Sequence, residues 1–303
     1  EVVELPKGNL PNQVYMSKVA YEADGTIIIN RIKPHTDFHG RTESGLIKMC
    51  VIGLGKHKGA LEIHRFGVRG LKELIPKTAQ QIIKYGNILL GLAIVENSSH
   101  HIMVIKAVKP SDFAIEEEKL LKLARENMPA LPVDKLDILV VDQMGKDISG
   151  SGIDTNVIGR MKIEGEPEPE KPDIKIIIVR NLTDQSHGNA TGMGLADIIT
   201  EKFYRKIDFP STYENIVTST FLERGKMPLV TKNDRQALQW AIRASQSVDL
   251  EKTRLIRIKD TLSLAHMYVS PSVFSEIKAD KNVEMIEDFK DLLLPGEEEL
   301  EDF

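Results

Sequence analysis

A single cysteine, Cys50, is all that this 303-residue chain contains. No intrachain disulfide can form, and a reducing compartment, the cytoplasm, is the default expectation. Long apolar runs are missing as well. Stretches such as Met49–Ile52 fall far short of the roughly 20 residues that cross a bilayer, so no membrane partner is expected. No charged-then-apolar leader opens the chain. Charge of one sign is lacking too: 40 Lys and Arg face 45 Asp and Glu, and the two signs are interleaved. Without a basic stripe there is no electrostatic footprint for nucleic acid. No internal repeat is visible.

What is present is a globular composition, 41% hydrophobic and 28% charged, on a chain long enough for two domains. Thr26–Asn30, Leu89–Glu96 and Ile102–Val108 read as β-branched strands, with a helical region between the first two that ends in an amphipathic helix near Gly70–Tyr85. Ser111 is expected to cap a charged helix over Asp112–Asn127, and the proline-bearing segment 128–132 to end it. Strands follow at Leu136–Val141 and Asp173–Arg180, separated by the polar, proline-broken excursion 165–173. Helices are expected near Gly194–Arg205, Thr212–Phe221 and Asp234–Ser245, the last capped by Asn233. A strand at Arg254–Lys259 and a helix opened by Ser270-Pro271 complete the pattern. Alternating strands and helices predict an α/β fold in two α/β domains. Residues 1–130 form the first, 131–290 the second, and 291–303 an acidic tail expected to fray.

Four of the eight histidines fall between residues 35 and 64. His35 follows a strand directly, behind Pro34, where α/β proteins place reacting groups; a polar loop residue making a local hydrogen bond is the equal alternative. Lys48 stands in the run Leu46–Ile52, in which every other residue is apolar. An ammonium there is kept for paired charge, a lowered pKa or covalent chemistry, unless its stem covers apolar surface and its head reaches water. His64 lies sixteen residues on. Along one unbroken helix that separation is about 24 Å, but Gly53, Gly55 and Gly59 offer places for the run to fold back. In the second half, Gln143 and Lys146 follow a buried strand in a Gly/Ser-rich loop, a common place to hold an anion. That loop lacks the Walker pattern. His187 and Asn189 sit in a second glycine-rich loop, as pocket residues or as a cap for the next helix.

The segment from Asn30 to His64, with GLAIVEN, DQMGKDISGSG and HGNATGMGLAD, resembles the lactate-racemase-like family, nickel–pincer nucleotide-dependent 2-hydroxy acid racemases and epimerases. The resemblance covers nearly the whole chain. It implies an isomerase that moves a hydride, coupled to a proton, to and from a nickel–pincer nucleotide (a pyridinium bis-thiocarboxylate mononucleotide). Lys48 would carry that cofactor and His64 would complete the nickel coordination. The histidine ahead of the lysine serves the family as an acid/base group. His35 fits that place, and His39 stands nearer the lysine. Gln143 and Lys146 match a substrate-contacting pair. The active site is expected in the cleft between the two domains. A 2-hydroxy acid substrate, cofactor-biosynthesis enzymes and a homo-oligomer are the partners implied.

The family carries a second acid/base histidine and its nucleotide-phosphate contacts upstream of this region. The chain opens Glu1-Val2-Val3-Glu4 in what already reads as a strand, so it is expected to be the C-terminal part of such a protein, lacking the start of the first domain. Two other readings remain open. One is a zinc-dependent hydrolase or lyase using His35, His39 and His64, since catalytic zinc takes three protein ligands. The other is a non-catalytic nucleotide- or metal-binding relative.

Overall fold

The structure, a computed structural model, describes residues 1–293 and 296–303. The chain divides into two compact units, Glu1–Met128 with Thr218–Thr220, and Pro129–Val217 with Phe221–Phe303. Both are mixed α/β.

In the first unit, β1 (Val2–Leu5) and β2 (Val14–Ser17) form an antiparallel pair. A separate three-stranded sheet has β3 (Thr26–Arg31) parallel to β4 (Ile88–Glu96), and β4 antiparallel to β5 (Ile102–Val108). The helix Ile75–Tyr85 buries Ile75, Thr78, Ala79 and Ile82, the spacing of one helical face. The helix Phe113–Asn127 turns Phe113, Glu117, Leu120, Leu121 and Ala124 inward. Ser111 does not cap it. Pro110–Asp112 form a 3-10 turn, the helix starts one residue later, and the Ser111 hydroxyl bonds to Asp112 Oδ1 at 3.0 Å instead.

The second unit is built on a six-stranded sheet in the order β11-β10-β6-β7-β8-β9. These strands are β6 (Lys135–Met144), β7 (Asp173–Leu182), β8 (Ile198–Thr200), β9 (Leu229–Thr231), β10 (Leu255–Ile258) and β11 (Met267–Val269). All neighbours are parallel except the β10–β11 edge. Strands buried on both faces explain the near-continuous apolar runs. Leu139, Val141, Ile177 and Val179 pack on one side, and Ile138, Val140 and Ile178 on the other with Ala237, Leu238 and Ala241 of the helix Asp234–Ala244. Asn233 caps that helix, its side chain accepting the Gln236 amide at 2.9 Å.

Three expectations are corrected here. The span 194–205 is not one helix: a 3-10 turn, Met193–Leu195, leads into β8 and then a short helix, Glu201–Tyr204. Ile198, Ile199 and Thr200 are β-branched and buried, and they complete the sheet between β7 and β9. The helix Pro271–Ile277 starts as expected, but its N-cap Ser270 makes no capping bond, because its hydroxyl accepts the Leu255 amide at 3.1 Å. The tail does not fray where it is described. Leu300 is buried against Ala237 and Leu238, and its amide and carbonyl bond to Asp234 and Arg180 at 2.9 and 2.8 Å. Within that tail, Leu294 and Pro295 lie outside the described residues.

Candidate functional site

In the first unit the site grows out of the end of β3. Lys33 and Ser44 exchange backbone hydrogen bonds at 3.0 and 3.2 Å, closing the loop 34–43 at its base. Glu43 organises that loop. Its side chain is fully buried, with Oε2 accepting the His35 amide at 2.7 Å and Oε1 accepting the Gly40 amide at 2.8 Å. Oε1 also meets His39 Nδ1 at 3.3 Å and pairs with Arg125. Burial pushes the Glu43 carboxyl up, but the bonds from His39 and the two amides, with the Arg125 charge, outweigh it and hold the group below its ordinary value. Glu43 is therefore a carboxylate.

Its two histidine neighbours are set in opposite ways. His35 is buried, stacks on Phe38 with centroids 4.7 Å apart, and accepts the Asp37 amide at Nδ1 at 3.0 Å. Neutral imidazole has one donor and one acceptor nitrogen, so Nε2 carries the hydrogen. That nitrogen faces Lys48 Nζ at hydrogen-bond distance, and a contact with an N–H requires the amine to accept. Burial lowers the Lys48 pKa, and Lys33 pushes the same way against Asp37. Geometry and electrostatics both point to a depressed Lys48 pKa, the direction that favours the nucleophilic form of lysine. His39, by contrast, is 41% exposed at its side chain and presents Nδ1 to the Glu43 carboxylate. Nδ1–H then donates to Glu43, and the Nε2 lone pair is left to take a proton.

The run after Lys48 does fold back, though not at its glycines. Leu46–Lys48 is α-helical, Met49–Gly53 a π-helical turn, and Leu54–His64 helical on either side of a kink at Lys56, whose φ is 54°. Gly53 and Gly55 keep their places in helical backbone. Gly59 serves the return instead: a Cβ there would lie 2.9 Å from the Val51 carbonyl oxygen, so two backbones pass where no side chain fits. The reversal brings His64 within electrostatic reach of Lys48. Burial lowers the His64 pKa, Lys48 adds to the effect, and Asp37 opposes it. His64 is thus a neutral imidazole, and its ring makes no hydrogen bond among the described residues.

In the second unit, Gln143 and Lys146 lie at the C-terminal end of β6, beside β10. Strand order reverses there, because β7, β8 and β9 lie to one side of β6 and β10 to the other. Open parallel sheets bind ligands at such switch points. The Gln143 amide donates to the Lys259 carbonyl at 2.9 Å. Lys146 Nζ donates to the Gly150 carbonyl at 2.6 Å and to Asn215 Oδ1 at 2.9 Å, both uncharged acceptors. His187 is an exposed residue at φ 49°, following the 3-10 turn Asp184–Ser186. Asn189 accepts the amide and hydroxyl of Thr191 at 3.0 and 2.7 Å. His187 closes the preceding 3-10 turn, its amide donating to the Asp184 carbonyl, and neither residue caps the helix that follows.

Sequence reasoning missed Glu43, Asp37, Glu117 and Asn215. The signal for the first two was their place among the histidines; the others carry none. Among the described residues no group of three or more His, Cys, Asp or Glu is arranged to hold a metal ion, so His35, His39 and His64 do not assemble as a three-ligand set. No helix there is long and apolar enough to cross a membrane.

The chain matches no protein-family model and no curated protein. Among solved structures it is similar to the lactate racemase apoprotein from Thermoanaerobacterium thermosaccharolyticum, at 16% identity over 86% of this chain and 67% of that one, with a TM-score of 0.46. It is also similar to a structural-genomics protein from Thermotoga maritima, at 12% identity over 84% and 69% of the two chains, with a TM-score of 0.48. Likenesses at this distance carry no argument about chemistry, which rests on the side chains themselves.

Proposed function

We propose that this chain is an isomerase, a racemase or epimerase of a 2-hydroxy acid, that works with a nickel–pincer nucleotide joined to Lys48. One observation supports it above the others. An amine of lowered pKa, in contact with His35 Nε2, shares a half-buried neighbourhood with a neutral His64. A cofactor attached through lysine and completed by one protein nitrogen asks for this donor set; a three-histidine zinc site asks for more ligands than are gathered. Neutral imidazole is a suitable donor for nickel. When bound, the cofactor supplies a reversible hydride acceptor, which no side chain can provide.

The protein's part is proton transfer and orientation. The acid/base role expected of His35 suits His39 better. Glu43 fixes the His39 tautomer, leaving Nε2 to face a hydroxyl as the acid/base nitrogen. His35 instead presents an N–H to Lys48, and its lone pair is engaged by the Asp37 amide. Lys146, whose ammonium donates to the Gly150 carbonyl and to Asn215 Oδ1, is the cation that would meet the substrate carboxylate, with Gln143 as the adjoining amide donor.

The test is the intact mass of the full-length protein made alongside cofactor-building enzymes, with peptide mapping and metal analysis, beside a Lys48→Ala control. The expected result is a nucleotide-sized adduct on Lys48 with about one nickel per chain, absent from the control. An unmodified chain without nickel overturns the reading.

A further inference from the structure

The turn that carries Lys48 starts at Gly45, whose backbone is extended and which has no side chain to cap the amides that follow. A carboxyl from elsewhere does so. Glu117, on the helix Phe113–Asn127, is buried with 1% of its surface exposed, and its Oε2 accepts the Ile47 amide at 3.0 Å. The approach is close enough that a Cβ on residue 45 would lie 2.4 Å from Glu117 Cδ. The absent side chain and the imported carboxyl thus occupy one place. The other face of the turn is tied to β3, where Asn30 Nδ2 donates to the Gly45 carbonyl at 2.9 Å. The second carboxyl oxygen, Oε1, is buried without a hydrogen-bond partner among the described residues. Leaving such an atom bare is costly, and a merely structural cap would be better served by an Asp or Ser at position 45 itself.

We infer that Glu117 is a positioning residue for Lys48, holding the start of its turn from a separate helix so that Nζ stays buried against His35. The groups facing Glu117 are the Leu46 and Ile47 amides, the Cys50 thiol of the π-helical turn and Glu43 of the loop. None is a proposed nickel ligand. The inference rests on the reading of Lys48 as the reactive amine, but its test needs no cofactor.

That test is competitive labelling of the full chain with acetic anhydride from pH 6 to 10, with the Lys48 peptide quantified by mass spectrometry and fold checked by circular dichroism. In the wild type, Lys48 is expected to reach half-labelling at lower pH than the exposed lysines. Glu117→Ala lets the turn slip and water reach the amine, so the midpoint rises and labelling at neutral pH falls about tenfold. Glu117→Gln keeps an oxygen for the Ile47 amide and retains most of the wild-type profile, a rescue that general loss of packing would not show. If Glu117→Ala unfolds, Gly45→Ala displaces the same carboxyl without removing it and should move the midpoint the same way. A folded Glu117→Ala or Gly45→Ala variant with the wild-type midpoint overturns the inference, as does a Gln variant as impaired as Ala. A wild-type Lys48 that titrates like an exposed lysine overturns both this and the reading beneath it. Absence of an adduct beside an intact labelling difference overturns the cofactor alone.

Discussion

Two sets of buried charge in this molecule are handled in opposite ways. In the second unit, Arg180 and Arg257 converge on Asp142, at 2.6 Å each, and Arg180 reaches Asp234 at 2.6 Å. Two cations meet two anions, and the tail adds the Leu300 and Glu301 carbonyls for the remaining guanidinium hydrogens. Tyr268 and Phe303 lie against the Arg257 guanidinium at 5.4 and 5.6 Å. Every charge there is neutralised and hydrogen-bonded, the condition under which buried ions persist. Among the described residues of the first unit, Lys48 has an imidazole for a partner, Glu117 one oxygen without a hydrogen bond, and His64 no hydrogen bond. Desolvation leads the causes of each shift there. Paired charge holds a fold together; underpaired charge is left with altered protonation, which is where reactivity resides.

The largest effect should come from breaking the paired set. Asp142→Ala leaves two buried arginines short of an anion and should cost roughly 3–5 kcal/mol, read as a lower urea midpoint for the second unit. A loss below about 1 kcal/mol would mean that the network is as dispensable as a surface pair. The next effect sharpens the other side. Burial first, then the Glu43 charge, raises Glu117 from 4.5 to about 7 against the Ile47 and Leu46 amides. Between those values the native chain holds a proton that the unfolded chain has released, so stability falls as pH rises through that window. Above it the full penalty, on the order of 3 kcal/mol, is in place. Glu117→Gln has no such proton, so its stability should vary less from pH 5 to 7.5 and overtake the wild type at the upper end. Parallel pH profiles for the two proteins would remove Glu117 from the underpaired set.

That contrast was partly legible in the sequence. Lys48 announced itself as the one polar residue in an apolar run, and the spacing to His64 was readable once a reversal was allowed. The place of the reversal was not, because glycines advertise flexibility while the kink fell on Lys56, a residue with no such signal. Glu117 was hidden by its neighbours. It is the middle of three consecutive glutamates, of which Glu116 pairs with Lys106 and Lys119, and Glu118 with Arg41, on the surface. Only helix phase and packing single out the middle one. The strand β8 was lost because Gly194–Arg205 reads as helix when propensity is summed, whereas pairing on both edges decides the matter. The tail looked frayed because it is acidic, yet what docks it is Leu300 and the main-chain groups of residues 297–301, to which composition is blind.

A smaller effect follows from the way the reversal is built. Gly59→Ala places a methyl 2.9 Å from the Val51 carbonyl oxygen, so one limb of the turn must shift, at a cost of about 1–3 kcal/mol. The shift opens the turn that covers His64, so the His64 pKa, followed by NMR of its ring protons, should rise toward 6.5 as burial recedes. An alanine variant with an unchanged His64 titration would show that the two limbs owe their approach to something other than Gly59.

The smallest change in stability is expected where one substitution adds a negative charge beside Lys146. Asn215 Oδ1 accepts from Lys146 Nζ at 2.9 Å and lies 3.0 Å from the Thr191 hydroxyl oxygen. Asn215→Asp keeps the shape and both contacts while adding a charge beside the ammonium. On a half-buried pair the gain should stay within about 1 kcal/mol. Affinity for a carboxylate ligand should nonetheless fall, since Lys146 would then be neutralised from within, as Arg180 is by Asp142 and Asp234. Calorimetric titration of the wild type and Asn215→Asp with a 2-hydroxy acid, beside a melting curve for each, separates the two effects. Equal affinity in both would mean that Lys146 serves its own loop, through Gly150 and Asn215, and that the second unit spends all its buried charge on the fold.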